Sequence, residues 1–578
     1  MDILNERYLI DNSTNFEYYD LKTDLGTDLN ALQTYCIVST SLGRWEIPCL
    51  SYLEVEGRLV KADGTPYTPN AQGNYPDVTI TNNFFPFLFS NIKYKIDSTE
   101  VEVLNKPGIL TTADLLLTYQ REFNGLDRGW ALDTGDGRSS LNLSRKYAAI
   151  PGFNPNEINI PDGDATHYQT LGGNIRDRVT WYNASDLGIH APDLPYANDP
   201  IHRTDLITGM NNVKDRINEK YSTNIRTITT DDFSAAVDPP DGDVIRSAIN
   251  AVYRLFNETT AKDSFNSTEF NVDHNLGFEL RKNLLFNTTG NVMDATDAGR
   301  FKFRIPLDHM FNFCKFYRNG IYNARHELRF TRQTDDMAIY RHVNADVGKI
   351  RLDKIRWMMP RVTLNPELSI RLKETILKPD VNIPVSFINK YLRKHTVVTG
   401  VFNFPVTYTL PGINSVRYIV LLFQTRDLLA YPILQTFNNS TFNNPFNRRV
   451  SMIDIANITA KVGGQSFYIG DYTNNNMSTN LGSSFYNEFK KLRQDYLNDY
   501  RDTDMITYAE FINLYRMYCI NVAAQTIVSD ATSSDIELEI TLNSIVPVVG
   551  TEINLYTITY YDSKCKFKYD GQKHVCVQ

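Results

Sequence analysis

Alternating apolar and polar positions run through the sequence and predict a protein made of antiparallel β-strands. Four stretches show the alternation clearly: 52–60, 301–305, 401–410 and 536–543. A period of two residues places successive side chains on opposite faces of a sheet, so each stretch predicts a half-buried strand. Strands of parallel α/β sheets are apolar throughout and would not alternate. In YLEVEGRLV (52–60) the predicted inward residues are Leu53, Val55 and Leu59, and the predicted outward residues are Glu54, Glu56 and Arg58.

Helical periodicity is rare along the chain. The clearest cases place apolar residues three or four positions apart, which predicts one buried helical face. A further short helix is predicted where Thr507 and Glu510 form a capping-box pattern, in which each side chain binds a free backbone amide of the first turn. The four predicted helices are 111–125, 483–500, 507–514 and 244–256.

One short pattern occurs twice and organises the chain. Residues 91–101 (NIKYKIDSTEV) and 457–467 (NITAKVGGQSF) share the same alternation, and each is preceded by a strand and followed by an amphipathic helix. The ends correspond as well, because 334–357 and 550–571 both predict a strand, a turn and a basic-apolar strand. The repeated plan predicts two similar β domains with a boundary near residue 365.

The predicted organisation has three parts. Residues 1–25, polar and rich in tyrosine, are predicted to be an N-terminal arm that orders only in an assembled state. Residues 26–365 form the first domain and 366–578 the second. The first carries a long insertion at about 126–243, rich in Gly, Pro, Asp and Asn, and the second a shorter loop of similar character at 437–449. Such stretches predict surface excursions.

Length and charge narrow the classes of function. A chain of 578 residues exceeds the roughly 250–300 residues that one hydrophobic core can serve. The net charge of −8 argues against extensive nucleic-acid binding, which requires a basic surface. The N-terminus lacks the pattern of a secretory signal, and no apolar run approaches the ~20 residues that span a bilayer. We therefore predict neither sequence-specific nucleic-acid binding nor a membrane-spanning segment.

The sequence carries no motif of known catalytic chemistry. It has no P-loop, GxGxxG, GxSxG or HExxH pattern, so we predict no catalytic, cofactor-binding or metal-binding residue and no enzymatic activity. His309 and His326 are predicted to be hydrogen-bonded structural histidines rather than metal ligands. The stripe FFPFLF (84–89) is predicted to pack in the core. Two acidic clusters, predicted to be turns rather than Ca²⁺ loops, contain Asp162, Asp164 and His167, and Asp238, Asp241 and Asp243.

The six cysteines are predicted to be free thiols, because so few in so long a chain do not form a disulfide framework and no CxxC pair occurs. Asn-x-Ser/Thr sequons such as Asn142, Asn183 and Asn287 carry little meaning without a secretory route. The cysteines are Cys36, Cys49, Cys314, Cys519, Cys565 and Cys576.

An ordered set of segments resembles a known family. The segments are IPLDHMFNFC (305–314), IYNARHELRFTRQTDDMAIYR (321–341), KIRLDKIRWMMPRV (349–362), SVRYIVLLFQTRD (415–427) and VPVVGTEINLYTI (546–558). Taken in this order they resemble the major capsid proteins of Polinton (Maverick) elements and the related adintoviruses. The resemblance is good from about residue 300 to 578, loose over the first 125 residues and absent from the insertion. It implies an all-β double jelly roll: two eight-stranded antiparallel β-sandwiches side by side, with a few short helices and long surface loops.

The same resemblance implies a structural role in a virion. Chains of this family form homotrimers that act as pseudo-hexagonal capsomers of an icosahedral shell enclosing double-stranded DNA. The implied partners are neighbouring capsomers, a single-jelly-roll penton protein and other minor capsid proteins, and no cofactor is implied. Two alternatives stay open at this point: a carbohydrate-binding or carbohydrate-active β-sandwich protein, and a double-jelly-roll scaffold of an immature particle.

Overall fold

A computed structural model describes most of the predicted strands and the residues that join them. The described residues are 4–23, 27–40, 43–70, 75–120, 125–133, 276–286, 297–341, 345–397, 403–413, 415–427, 455–468, 483–497, 506–508, 511, 515–523, 533–542 and 551–577. The predicted helix 244–256, both acidic clusters, the three sequons and the loop 437–449 lie outside these residues. So do most of the predicted helix 507–514 and most of the predicted insertion.

Strands dominate the described residues. In the first half they are β1 (Ser13–Lys22), β2 (Thr34–Thr40), β3 (Trp45–Glu46), β4 (Tyr52–Lys61), β5 (Val78–Ile80), β6 (Phe89–Ile96), β7 (Thr99–Asn105), β8 (Arg300–Pro306), β9 (Ile321–Tyr322), β10 (Arg325–Arg332), β11 (Ile339–Arg341) and β12 (Gly348–Leu364). In the second half they are β13 (Asn382–Thr396), β14 (Asn403–Pro411), β15 (Val416–Asp427), β16 (Ile455–Val462), β17 (Gln465–Tyr468), β18 (Tyr518–Asn521), β19 (Ser533–Leu542), β20 (Thr551–Tyr569) and β21 (His574–Val577).

Short helices connect some of these strands. They are α1 (Glu6–Asp11), α2 (Phe84–Phe87), α3 (Pro107–Thr118), α4 (Leu276–Phe286), α5 (Asn312–Phe316), α6 (Pro366–Thr375) and α7 (Ser483–Leu497). Helix α6 follows the last strand of the first half directly. Its Asn365 cap accepts a hydrogen bond from the amide of Leu368, and Pro366 occupies the first helical position, so the sequence itself sets where the helix begins.

Each half contains one larger and one smaller sheet with the same strand order in both, and the first half also has the two-stranded pair β5–β11. The larger sheets run β8-β4-β12-β1 and β18-β15-β20-β13, with the short strands β3, β9 and β21 added beside them. The smaller sheets run β2-β10-β6-β7 and β14-β19-β16-β17. Every described pairing is antiparallel, and none joins a strand of the first half to a strand of the second. Two four-stranded sheets connected in this way form an eight-stranded jelly roll, and we call the halves the first roll and the second roll.

The repeated sequence pattern corresponds to one hairpin in each roll. Residues 91–101 span β6 and the start of β7, and residues 457–467 span β16 and most of β17. Both hairpins have two-residue turns, because Ile96 pairs with Thr99 and Val462 pairs with Gln465. The two hairpins occupy the same edge of equivalent sheets, so the similarity of sequence reflects a repeated structural element.

The stripe 84–89 lies in the core, as its sequence predicts. It forms α2 and the start of β6, and its five large side chains are all buried. The Phe84 ring packs edge-on against Phe301 of β8, and the Phe89 ring lies 5.2 Å from Phe330 of β10. The first contact packs α2 on the larger sheet and the second lies within the smaller sheet, and aromatic rings bury large areas per residue in both.

Strand β4 shows the predicted alternation, but two of its predicted outward residues are buried. Leu53, Val55 and Leu59 are buried as predicted. Glu54 and Arg58 are also buried, with 9% and 7% of their surface exposed, because their charged groups are bound by neighbours. The Glu54 carboxylate pairs with Lys302 and Arg356, and Arg58 Nε donates to the carbonyl of Ala298 at 2.7 Å.

The N-terminal segment is part of the first roll, which corrects the prediction of a separate arm at residues 1–25. Strand β1 pairs with β12 from Ser13–Leu364 to Lys22–Arg356. Arg356 also pairs with Glu54 of β4, so β12 lies between β4 and β1. Because β1 is an edge strand with both faces partly exposed, its sequence is polar and gives no clear alternation.

Three other boundaries differ from the predictions. Helix α3 begins at Pro107 rather than at the threonines, whose hydroxyl groups are buried and accept from the Asn83 amide at 2.8 and 3.0 Å. Within the segment 550–571, Thr551–Tyr569 form one long strand, β20, without the predicted turn. The start of the predicted insertion packs on the first roll, where Trp130 is 2% exposed.

The predicted helix at 483–500 is confirmed as α7, which ends at Leu497.

Candidate functional site

The contact between the two rolls is the candidate functional site, because it fixes how one roll is held against the other. The first roll contributes β7, α3 and α5, and the second contributes β13 and α7. Lys390 of β13 is the central residue, with its side chain fully buried. Its ammonium donates to the carbonyl of Met310 at 3.1 Å and to Asn312 Oδ1 at 3.3 Å.

Asp114 of α3 supplies the counter-charge. Its carboxylate lies 2.8 Å from Lys315 Nζ and 3.3 Å from Lys390 Nζ, and it accepts a hydrogen bond from the Tyr496 hydroxyl at 2.8 Å. Burial alone would raise the pKa of Asp114, but the two ammonium groups outweigh that effect and lower it to about 2. The carboxylate is therefore charged and holds groups from both rolls.

Asn312 completes the polar network between the rolls. Its side-chain amide donates to the carbonyl of Ile388 on β13 at 2.8 Å and to the Tyr496 hydroxyl at 2.7 Å. The Glu102 carboxylate accepts from the backbone amides of Asn312 and Phe313 at 3.1 and 2.9 Å, which anchors the start of α5. Burial raises the pKa of Glu102, partly offset by Lys390. Every member of this network has partners, as buried polar groups require.

Aromatic rings surround the polar network. Phe313 of α5 is fully buried and lies 5.7 Å from Phe387 of β13 and 6.4 Å from Phe567 of β20. The Tyr317 ring lies 5.4 Å from Phe567. The first roll thus packs aromatic side chains against the edge of the second, which shields the charged cluster from water.

A second connection between the rolls comes from β21. Thr99 at the start of β7 donates to the carbonyl of Cys576 at 2.8 Å, and the backbone amide of Tyr322 donates to His574 Nδ1 at 3.1 Å. Lys573 pairs with Asp97 in the β6–β7 turn. The rolls are therefore held together at separate points, and this limits rotation of one against the other.

Comparison with known proteins agrees with this geometry. Residues 276–562, which include strands of both rolls, match the double jelly roll-like domain family. The fold is a double jelly roll. No curated protein matches the chain.

The double jelly roll is also similar to solved structures. A structure of the Sputnik virophage shares 11% identity, with 98% of this chain and 88% of that chain covered and a TM-score of 0.45. The Faustovirus major capsid protein shares 8% identity over 95% and 90% of the two chains, with a TM-score of 0.39. The mavirus major capsid protein shares 7% identity over 97% and 90%, also with a TM-score of 0.39.

The two histidines singled out from the sequence of this double jelly roll have hydrogen-bond partners on both ring nitrogens or close to them. His326 is fully buried, with the Tyr94 hydroxyl 2.8 Å from Nδ1 and the Glu46 carboxylate 3.1 Å from Nε2. His309 binds the Tyr119 hydroxyl through Nδ1 and lies 3.3 Å from Asn83 Oδ1 through Nε2. Both rings tie separate segments of the first roll together.

Because His309 is buried, we expect the free energy of unfolding to fall in acid. Burial, together with Arg128 and Lys315, lowers the pKa of His309 from 6.5 to about 3. The unfolded chain takes up this proton below pH 6.5 and the folded chain does not, so the stabilisation is complete above pH 6.5 and declines towards pH 3. We expect His309 to account for a loss of about 2–3 kcal/mol between pH 6.5 and 4.5.

Urea unfolding of the wild type and of His309→Gln at pH 7.5, 5.5 and 4.5 measures this contribution. The free energy of unfolding of the variant should depend less steeply on pH than that of the wild type. Equal slopes for the two proteins would contradict a neutral buried imidazole at position 309.

Metal ligands, membrane-spanning helices and cysteines can each be assessed within the described residues of the double jelly roll. No group of three or more His, Cys, Asp or Glu side chains there is arranged to hold a metal ion. No helix in the part of the chain that the structure describes is long and apolar enough to cross a membrane. None of the six cysteines forms a disulfide bond, as predicted; four of them are buried, whereas Cys36 and Cys565 are partly exposed.

Proposed function

We propose that this protein is the major capsid protein of a double-stranded DNA virus or of a related integrated element. The observation that carries the proposal is that the chain contains two jelly rolls with the same strand order, joined by a buried polar and aromatic contact. Jelly rolls build viral capsids and also lectins. A rigid pair of equivalent rolls is what a capsomer needs, because three chains then supply six similar rolls to a pseudo-hexagonal ring.

The finer features of the proposal come from the resemblance to the capsid proteins of Polinton elements and adintoviruses. Three chains associate into a homotrimer, homotrimers contact neighbouring capsomers, and a single-jelly-roll penton protein and minor capsid proteins complete an icosahedral shell in the virion. The ordered segments from 305–314 to 546–558 support an origin near Polinton elements and adintoviruses. The net charge of −8 suits a shell that encloses DNA without binding it over its whole surface. We place the boundary between the two rolls near residue 365, within or beside α6.

Solution mass is the first test of this proposal. Light scattering on the purified chain should give a species of about 200 kDa, three times the chain mass of 66.2 kDa. Negative-stain images should show pseudo-hexagonal outlines or closed shells. A stable monomer under all assembly conditions would contradict the capsomer and would favour a carbohydrate-binding sandwich, which binding to a glycan array would then reveal.

A second measurement separates a mature capsid protein from a scaffold. Particles purified from producing cells are fractionated into immature and DNA-filled forms, and the protein is quantified in each by mass spectrometry. A capsid protein is present at the same copy number in both forms. A scaffold is abundant in immature particles and lost from those that contain DNA.

A further inference from the structure

Strands β1 and β13 occupy equivalent positions in the two rolls. Each is the first strand of its roll and pairs along one side with the long last strand, β12 or β20. Neither pairs with any other described strand on its opposite side. Both are therefore edge strands within the described residues, and an exposed edge strand can bind another chain.

The edge of β13 is covered by the first roll of the same chain. Asn312 and the ammonium of Lys390 join the rolls there by the hydrogen bonds described above, and the Phe387 ring packs on Phe313. Phe387 is 4% exposed and Lys390 is 2% exposed as a result. The equivalent edge of the second roll is thus a buried contact between rolls.

The edge of β1 has no such cover within the described part of the chain. Phe16 and Tyr18 share one face of β1, because they are two positions apart; they are 37% and 41% exposed, and we call these two residues the β1 surface. Tyr19 lies on the opposite face, where the Arg361 guanidinium lies 3.8 Å from the centre of its ring. The Tyr18 ring lies 5.5 Å from Phe16 and 5.4 Å from Tyr52 of β4, so the aromatic contact extends from β1 across β12 to the next strand. Large aromatic residues concentrated on one exposed strand are typical of a protein–protein contact and unusual on a free surface.

We propose that the β1 surface is covered by the second roll of another copy of this chain. Each second roll is then covered by the first roll of its own chain, and each first roll is covered by the second roll of a neighbouring chain. The inference rests on the proposed function, because it places the contact in the homotrimer. It is a heterologous contact, in which different surfaces of two identical chains meet, and such contacts form a ring when the rotation closes. A ring of three chains contains six rolls, and it closes when each roll is rotated by about 60° relative to the next.

The test compares substitutions at the β1 surface with one at a matched exposed residue. The double variant Phe16→Glu/Tyr18→Glu places two charges where the neighbouring chain would pack. Leu32→Glu is the control, since Leu32 is 67% exposed and lies outside the β1 surface. Light scattering over a range of concentrations gives the mass of each protein, and circular dichroism shows whether each has folded. We expect the double variant to associate at least ~100-fold more weakly than the wild type, and the control to form trimers normally.

Each outcome has a separate meaning. A folded, monomeric double variant beside a trimeric wild type and a trimeric control supports the inference. Trimers of the double variant as stable as those of the wild type would overturn it and leave the proposed function standing. A monomeric wild type would overturn both.

Hydrogen exchange on the unmodified chain decides the question if the double variant fails to fold. Backbone amides of residues 13–22 should exchange more slowly in the trimer than in the chain diluted below its association concentration. Equal exchange in the two states would overturn the inference without any substitution.

Discussion

Replacing Asp114 by alanine is expected to lower the free energy of unfolding by about 3–5 kcal/mol. The substitution removes the carboxylate that binds Lys315 and Lys390, and the Lys390 side chain is fully buried. A buried ammonium without a counter-charge is costly, because the protein interior solvates it poorly. The Tyr496 hydroxyl loses its acceptor as well. Equilibrium unfolding in urea at pH 7 measures the loss.

A surface ion pair provides the control for this prediction. Arg351 and Asp353 lie 3.0 Å apart with 42% and 47% of their side chains exposed. Asp353→Ala should therefore change stability by no more than about 1 kcal/mol. If Asp114→Ala were as mild as Asp353→Ala, the buried cluster would contribute nothing to the contact between the rolls.

Replacing Phe313 by alanine is expected to cost about 3–5 kcal/mol and also to uncouple the two rolls. Phe313 is fully buried between Tyr94 of the first roll and Phe387 and Phe567 of the second, so its loss opens a cavity in the contact itself. With the contact weakened, each roll should unfold at its own denaturant concentration. Calorimetry and urea unfolding should show one transition for the wild type and two for the variant.

Phe303→Ala is the matched control for the uncoupling. Phe303 is 2% exposed and packs on Phe84 and Phe301, inside the first roll. Its loss should lower stability by a similar amount while the number of transitions stays the same as in the wild type. Two transitions in both variants, or in neither, would show that Phe313 has no special part in joining the rolls.

Much of this fold could be predicted from the sequence, because strands with one buried face repeat their apolar residues every two positions. The hairpins at 91–101 and 457–467 show that the same element occurs in both rolls, and the pattern around them predicts two similar domains. The alternation in 52–60 predicts a strand and its buried residues correctly. It cannot predict that Glu54 is buried, since that depends on Lys302 and Arg356, which come from distant parts of the chain.

The contact between the rolls was missed by sequence analysis. Its central charge, Asp114, stands between Ala113 and Leu115 in an apolar helix, and a carboxylate at such a position is itself a signal of a buried partner. The partner Lys390 lies in a different roll, however, and no local pattern connects the two positions. Strand β1 was taken for an arm for a related reason: an edge strand with two exposed faces lacks the periodicity that identifies its neighbours.

The two equivalent hairpin turns differ in a way that bears on the order of folding. Glycines occupy the second turn, where Gly463 and Gly464 adopt positive φ freely, but Asp97 holds the equivalent position in the first with φ 55°. Its carboxylate binds Lys573, which lies 476 positions further along the chain. Within the first roll, the Asp97 amide donates to the carbonyl of Arg325 at 2.7 Å and its carboxylate accepts from the Arg325 amide at 3.4 Å. During synthesis these contacts form first, and Lys573 is added only when nearly the whole of the second roll has left the ribosome. A chain released earlier carries a first roll whose hairpin turn is held by its own roll alone and lacks the charge of Lys573 opposite Asp97.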